Sequence, residues 1–107
     1  MKKSDIFPLL ATKHLDELVS YSTKKIATTV IHKSEHTTVY LMAFSPQQSI
    51  PVHVTQKDAF LMVLEGEAIL TVGNRLYELN EGTTMELPGK IPHAVKATSH
   101  FKLLIIK

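Results

Sequence analysis

The sequence predicts an all-β fold, a sandwich or barrel of many short strands. Runs rich in β-branched and aromatic residues follow one another from Ile26 onward, turn residues punctuate them every several positions, and two of the runs are apolar at both strand parities. A chain of 107 residues is long enough to bury one core and too short for two.

Residues 4–20 are the least β-like part. Leu15, Leu18 and Val19 fall at the i, i+3, i+4 spacing of one helical face, so a short helix or docked arm is expected there, limited upstream by Pro8. Residues 1–24 are read as an N-terminal arm and 25–107 as the barrel domain. Ile26–Ile31 and Thr37–Phe44 are predicted to form a hairpin around Lys33-Ser34-Glu35. After the turn at Ser45–Ser49, Ile50–Thr55 is predicted as a strand with a proline near its start, where a missing amide donor is tolerated. Strands follow at Ala59–Leu64, Glu67–Val72, Arg75–Leu79 and Thr84–Leu87, with turns at Glu65-Gly66, Gly73-Asn74 and Asn80-Glu81-Gly82. An irregular connection from Pro88 to Pro92 leads into His93–Ala97, and Phe101–Ile106 is the last strand.

Composition excludes several classes of function. Hydrophobic residues at 44% and charged residues at 21% are ordinary for a globular protein. The lack of cysteine rules out disulfides, thiolate metal sites and cysteine nucleophiles. No apolar run reaches the roughly 18 residues of a membrane span, and the patch after Met1-Lys2-Lys3-Ser4 is too short for an export signal. A cytoplasmic protein without a membrane partner is expected. Net charge is +2 and the lysines are scattered, so nucleic acid is not an expected partner either.

Ala59–Leu64 and Leu103–Ile106 carry apolar side chains on both faces. Successive strand residues point to opposite sides, so both sides of these strands must be covered. The barrel interior is one cover. The other is the N-terminal segment or a second subunit, and a homodimer built by sheet-to-sheet packing is expected.

The most informative stretch is bracketed by two histidines. It opens at Pro51-Val52-His53-Val54-Thr55, passes through Asp58-Ala59 to Leu64-Glu65-Gly66-Glu67, and closes at Gly82, then Leu87-Pro88-Gly89, then Pro92-His93. On these residues the chain, over roughly 25–107, resembles the small single-domain cupins of the conserved-barrel type. The resemblance implies a double-stranded β-helix, or jelly-roll barrel, with a pocket inside. Cupin metal sites commonly use His-x-His, a glutamate and a later histidine. Here His53 and His93 stand at two of those positions, while Thr55 and Ala59 stand where the second histidine and the glutamate would be. That pattern is similar to a branch of cupins with a degenerate metal motif.

A pocket entered past His53 and His93 is therefore expected, with Thr55 as a further polar group and Ala59, Leu61, Val63, Met85 and Val95 as its apolar wall. Imidazole suits Zn, Cu, Fe and Ni, and a divalent Fe, Ni, Zn or Mn ion is the candidate cofactor, but two histidines supply about half a shell. Water, an exogenous carboxylate, Gln47 or Gln56 are the candidates to complete it. Asp58 is the tempting substitute for the glutamate, yet it is one residue out of register and turns inward only if a β-bulge intervenes. His14, His32, His36 and His100 read as solvated, and Met42, Met62 and Met85 most simply as core fillers, though a soft lining would suit a pocket for an apolar ligand.

Nothing resembles a serine-nucleophile elbow, a phosphate-binding glycine loop or a zinc-protease helix. Three readings remain: a dimeric module binding a small organic molecule, a metal-dependent enzyme of the dioxygenase, isomerase or decarboxylase kind using His53 and His93, and a purely structural or sensory dimer.

Overall fold

The strands form where β-branched and aromatic residues cluster, and they end at polar turns, several of them marked by glycine, proline or asparagine. The structure, a computed structural model, describes residues 10–107. The expectations that concern Met1-Lys2-Lys3-Ser4 and the start of the short apolar patch after it, Pro8 included, lie outside the described residues. In chain order the strands are β1 (Ala27–Lys33), β2 (Thr38–Phe44), β3 (Ser49–His53), β4 (Ala59–Glu65), β5 (Ala68–Val72), β6 (Arg75–Leu79), β7 (Thr84–Leu87), β8 (His93–Ala97) and β9 (Phe101–Ile106). They make two antiparallel sheets, a five-stranded one in the order β1-β2-β9-β4-β7 and a four-stranded one in the order β3-β8-β5-β6. The fold is the expected all-β jelly roll.

The main core fills the space between the sheets. Phe44, Leu61, Leu70, Val95, Phe101 and Leu103 are among its buried members. Phe44 and Phe101 meet edge to face with ring centroids 5.5 Å apart, a favoured aromatic geometry. Gly66 turns β4 toward β5 at φ +81°, and a Cβ there would sit 1.7 Å from the His100 carbonyl oxygen. Only glycine meets both demands, which gives the Leu64-Glu65-Gly66-Glu67 phrase a physical basis.

The helix expected near Leu15 is reduced to one 3₁₀ turn, Leu15–Glu17. His14 precedes it with no side-chain cap, and a single turn has little stability of its own. The segment is held by tertiary contacts instead. Val19 is buried in a second apolar cluster with Ile31, Leu41, Ala43 and Leu104, against which Leu15, Leu18, Tyr21, Met62, Leu64 and Ile106 pack. Residues 15–21 of the arm thus lie across the outer face of the five-stranded sheet, and they provide the second cover that β4 and β9 require.

Polar contacts fix the arm in register. The Ser22 carbonyl accepts from Ser45 Oγ at 2.9 Å and from Gln48 Nε2 at 2.8 Å. Lys102, 9% exposed, donates from Nζ to the Asp16 carbonyl at 2.6 Å and lies 3.2 Å from Glu65 Oε1. Glu65 faces Lys102 because the β4–β9 register slips by one residue between Val63 and Glu65. The ammonium also lies 5.0 Å from the Tyr21 ring centroid. Burial, and after it the charge of the Glu65 carboxylate, pushes the Tyr21 hydroxyl up to about 12, although no hydrogen bond of good geometry joins the two groups.

Candidate functional site

β3 carries the local irregularity that builds the site. Ile50 pairs with Val95 and His53 with His93, so three steps on β3 match two on β8. The extra residue is a bulge at Pro51-Val52, where proline has no amide to lose and both side chains are exposed. In strict alternation Val52, not His53, would stand opposite His93. The bulge puts Ile50 and His53 on the same inward side.

β8 lies between β3 and β5, and His93, its first residue, is 6% exposed. The two imidazoles meet at 4.2 Å between centroids with 62° between ring planes. His53 Nδ1 donates to the Pro51 carbonyl at 3.0 Å, and His93 Nδ1 donates to the Ile91 carbonyl at 2.9 Å. A carbonyl oxygen can only accept, so each ring carries its proton on Nδ1 and keeps the Nε2 lone pair free when neutral.

Two connections frame this pair. Residues 54–58 follow β3 and residues 88–92 precede β8, and they are laced together. Lys90 donates its amide to the Thr55 carbonyl at 2.7 Å, and Gly89 donates its amide to Asp58 Oδ1 at 2.8 Å. A Cβ on Gly89 would come within 2.5 Å of the Gln56 carbonyl oxygen, so the Pro88-Gly89 phrase is needed for close approach of backbone to backbone. Asp58 is a brace between connections: it is exposed and engaged with Gly89, and does not turn in as a substitute for the glutamate.

Between the sheets and behind the histidines lies a cavity of about 180 Å³. His53, Thr55, Ala59, Leu61, His93 and Val95 all reach its wall. Val63 and Met85 do not: Val63 is buried in the main core, and Met85 packs against that core from the short edge strand β7. Gln47 and Gln56 are exposed and off the wall. Ala59 and Leu61 of the five-stranded sheet are expected from the sequence, which also reads Met42 as a core filler or a soft lining. Sequence reasoning missed Thr28, Tyr40 and Phe44 from β1 and β2, Leu70 and Leu79 from β5 and β6, Leu87 from β7, and Leu103, Ile105 and Lys107 from the end of the chain. The signal was present in Tyr40, Met42 and Phe44, whose shared parity is the period of one sheet face. It also missed Ile50, whose inward direction follows only from the bulge that Pro51 marks.

As a metal centre the arrangement is incomplete. Two neutral imidazoles with open Nε2 atoms are suitable ligands for a divalent transition metal. Among the described residues no group of three or more His, Cys, Asp or Glu side chains comes together, and Thr55 offers only a hydroxyl. The donor set does not fit a metal held by protein ligands alone.

Fold and site together define a jelly-roll barrel with two histidines on the wall of its interior cavity. The cupin domain family matches residues 40–107, and the chain belongs to that family. In structure it is similar to a conserved protein of unknown function from Streptococcus pyogenes, at 23% identity, with 99% of this chain and 93% of that one covered and a TM-score of 0.88. It is similar to a cupin superfamily protein from Desulfitobacterium hafniense, at 20% identity over 99% and 97% of the two chains, TM-score 0.88. A cupin 2 conserved barrel domain protein from Leptotrichia buccalis is 32% identical over 86% of this chain and 45% of its own, TM-score 0.80. No curated protein matches the chain.

Proposed function

We propose that this cupin is a binding module for a small organic molecule, held in the barrel cavity with its polar end at His53 and His93. The observation that carries the reading is an apolar cavity whose wall includes two imidazoles, each hydrogen-bonded through Nδ1 and without a partner on Nε2 among the described residues. Ligand sites are mostly apolar with a few convergent polar groups. An apolar cavity of about 150 Å³ admits benzene, so about 180 Å³ suits a body of similar or slightly larger size. Residues 25–107 form the binding barrel in this proposal, and residues 1–24 serve as an arm.

A metal-dependent enzyme of the dioxygenase, isomerase or decarboxylase kind is the alternative. Orientation of both rings by carbonyls favours it, since metal-binding histidines are commonly held that way; the missing third and fourth chelators weigh against it. Metal content of protein purified without an affinity tag separates the two readings. Stoichiometric Fe, Ni, Zn or Mn that disappears in a folded His53→Ala, His93→Ala double variant would overturn the binding-module reading. No metal retained after incubation with excess divalent ions supports it.

A homodimer and a cytoplasmic location belong to the same proposal. The arm already covers the outer face of β4 and β9, so a partner is not needed there. Support for the dimer comes from Val30 and Val52, exposed on the edge strands β1 and β3. Support for the location is the absence of cysteine, together with the lack, among the described residues, of any helix long and apolar enough to cross a membrane.

A further inference from the structure

We infer that the molecule taken by this cavity is an organic anion, a small apolar body carrying one carboxylate, and that Lys107 is the residue that selects it. The inference rests on the reading of the cavity as a small-molecule site.

Lys107 is fixed, not trailing. Its amide donates to the Thr38 carbonyl at 2.9 Å and its carbonyl accepts from the Thr38 amide at 2.6 Å. Phe60 pairs with Ile106 and Leu61 with Ile105, so one more step of that register sets Lys107 level with Ala59, on the parity that faces the cavity. Ala59 begins β4 and His53 ends β3, which places Lys107 at the same end of the barrel as the histidines, on the opposite sheet. The ammonium lies 5.6 Å from the Tyr40 ring centroid.

The charge on the wall is one-sided. Lys107 is the one Lys or Arg among the described lining residues, no Asp or Glu is among them, and each histidine donates to a carboxylate from Nε2 when it is an imidazolium. No Asp or Glu side chain of the described residues lies within ion-pair distance of Lys107. A cation at the rim of an apolar cavity loses hydration when a ligand covers it, and that loss is offset when the ligand brings a negative charge. The remaining wall, including Phe44, Leu61, Leu70 and Leu103, offers nothing to a second charge.

Paired probes test this: benzoate with benzamide, phenylacetate with phenylacetamide, and hexanoate with hexanamide, each titrated by calorimetry and by the NMR shift of the Met42 methyl inside the cavity. A charge-assisted contact gives each acid about 10-fold tighter binding than its amide. Lys107→Met is expected to abolish that preference, and Lys107→Arg to keep it. Amides that bind as tightly as their acids, or a preference that survives in folded Lys107→Met, would overturn the anion inference and leave the cavity reading standing. If none of the six probes moves the Met42 methyl, the cavity reading falls and takes this inference with it.

Discussion

Asp58 shows how one side chain can look like chemistry and act as architecture. Its carboxylate accepts from the Gly89 amide and thereby ties the connection carrying Thr55 to the one that leads into His93. Asp58→Ala is expected to cost about 1 kcal/mol, an exposed charge-assisted hydrogen bond being worth less than a buried one, and to weaken probe binding. Asp58→Asn keeps an acceptor and should restore most of both, as urea unfolding and calorimetry of phenylacetate can check. A metal ligand would not be rescued in that way. Gly89→Ala is expected to be worse, by about 3 kcal/mol, because the atom it strikes is backbone and cannot rotate away.

At the scale of elements the arm and β3 carry the argument. Val19 is buried between the arm that carries it and the five-stranded sheet, and Val19→Ala removes two buried methyl groups. A loss of about 2 kcal/mol is expected in chemical denaturation. Tyr21 adds a pH dependence to the same contact. Its hydroxyl is raised from 10.0 to about 12 in the folded protein, so the folded state holds that proton more tightly than the unfolded chain. The stabilisation is therefore present in full below pH 10 and is lost as pH rises through about 12. Tyr21→Phe should flatten the stability curve over that window and remove the late-titrating tyrosinate absorbance; an unchanged curve would contradict the account. The extent of the strands was legible because turn residues and β-branched runs mark it locally. Two things were not. A helical spacing over Leu15, Leu18 and Val19 also serves a docked 3₁₀ turn, and alternation alone cannot place Ile50 and His53 on one face. Pro51 was the mark of the bulge that does so.

For the molecule as a whole, the question is how two sheets and an arm leave a cavity lined by both histidines and Lys107. The histidines were legible in the sequence, since His53 and His93 each follow a proline closely in a recognisable pattern. Lys107 was not, because its place depends on β9 lying between β2 and β4, a long-range pairing with no local signal. The apolar faces of β4 and β9 likewise left open whether the arm or a partner covered them. Light scattering settles the assembly: the homodimer proposal expects about twice 12.0 kDa, and a mass of 12.0 kDa would remove it without touching the cavity. The most direct measurement of the account is long-range proton–nitrogen NMR of the histidine rings at mildly alkaline pH, without and with phenylacetate. Without ligand His53 and His93 should both appear as the Nδ1-protonated tautomer. On saturation their ring signals should shift together toward the doubly protonated form, which alone can donate from Nε2 to a carboxylate, while those of His14, His32 and His36 stay in place. Neutral Nε2-protonated rings in the free protein, or shifts confined to the outer histidines, would contradict it.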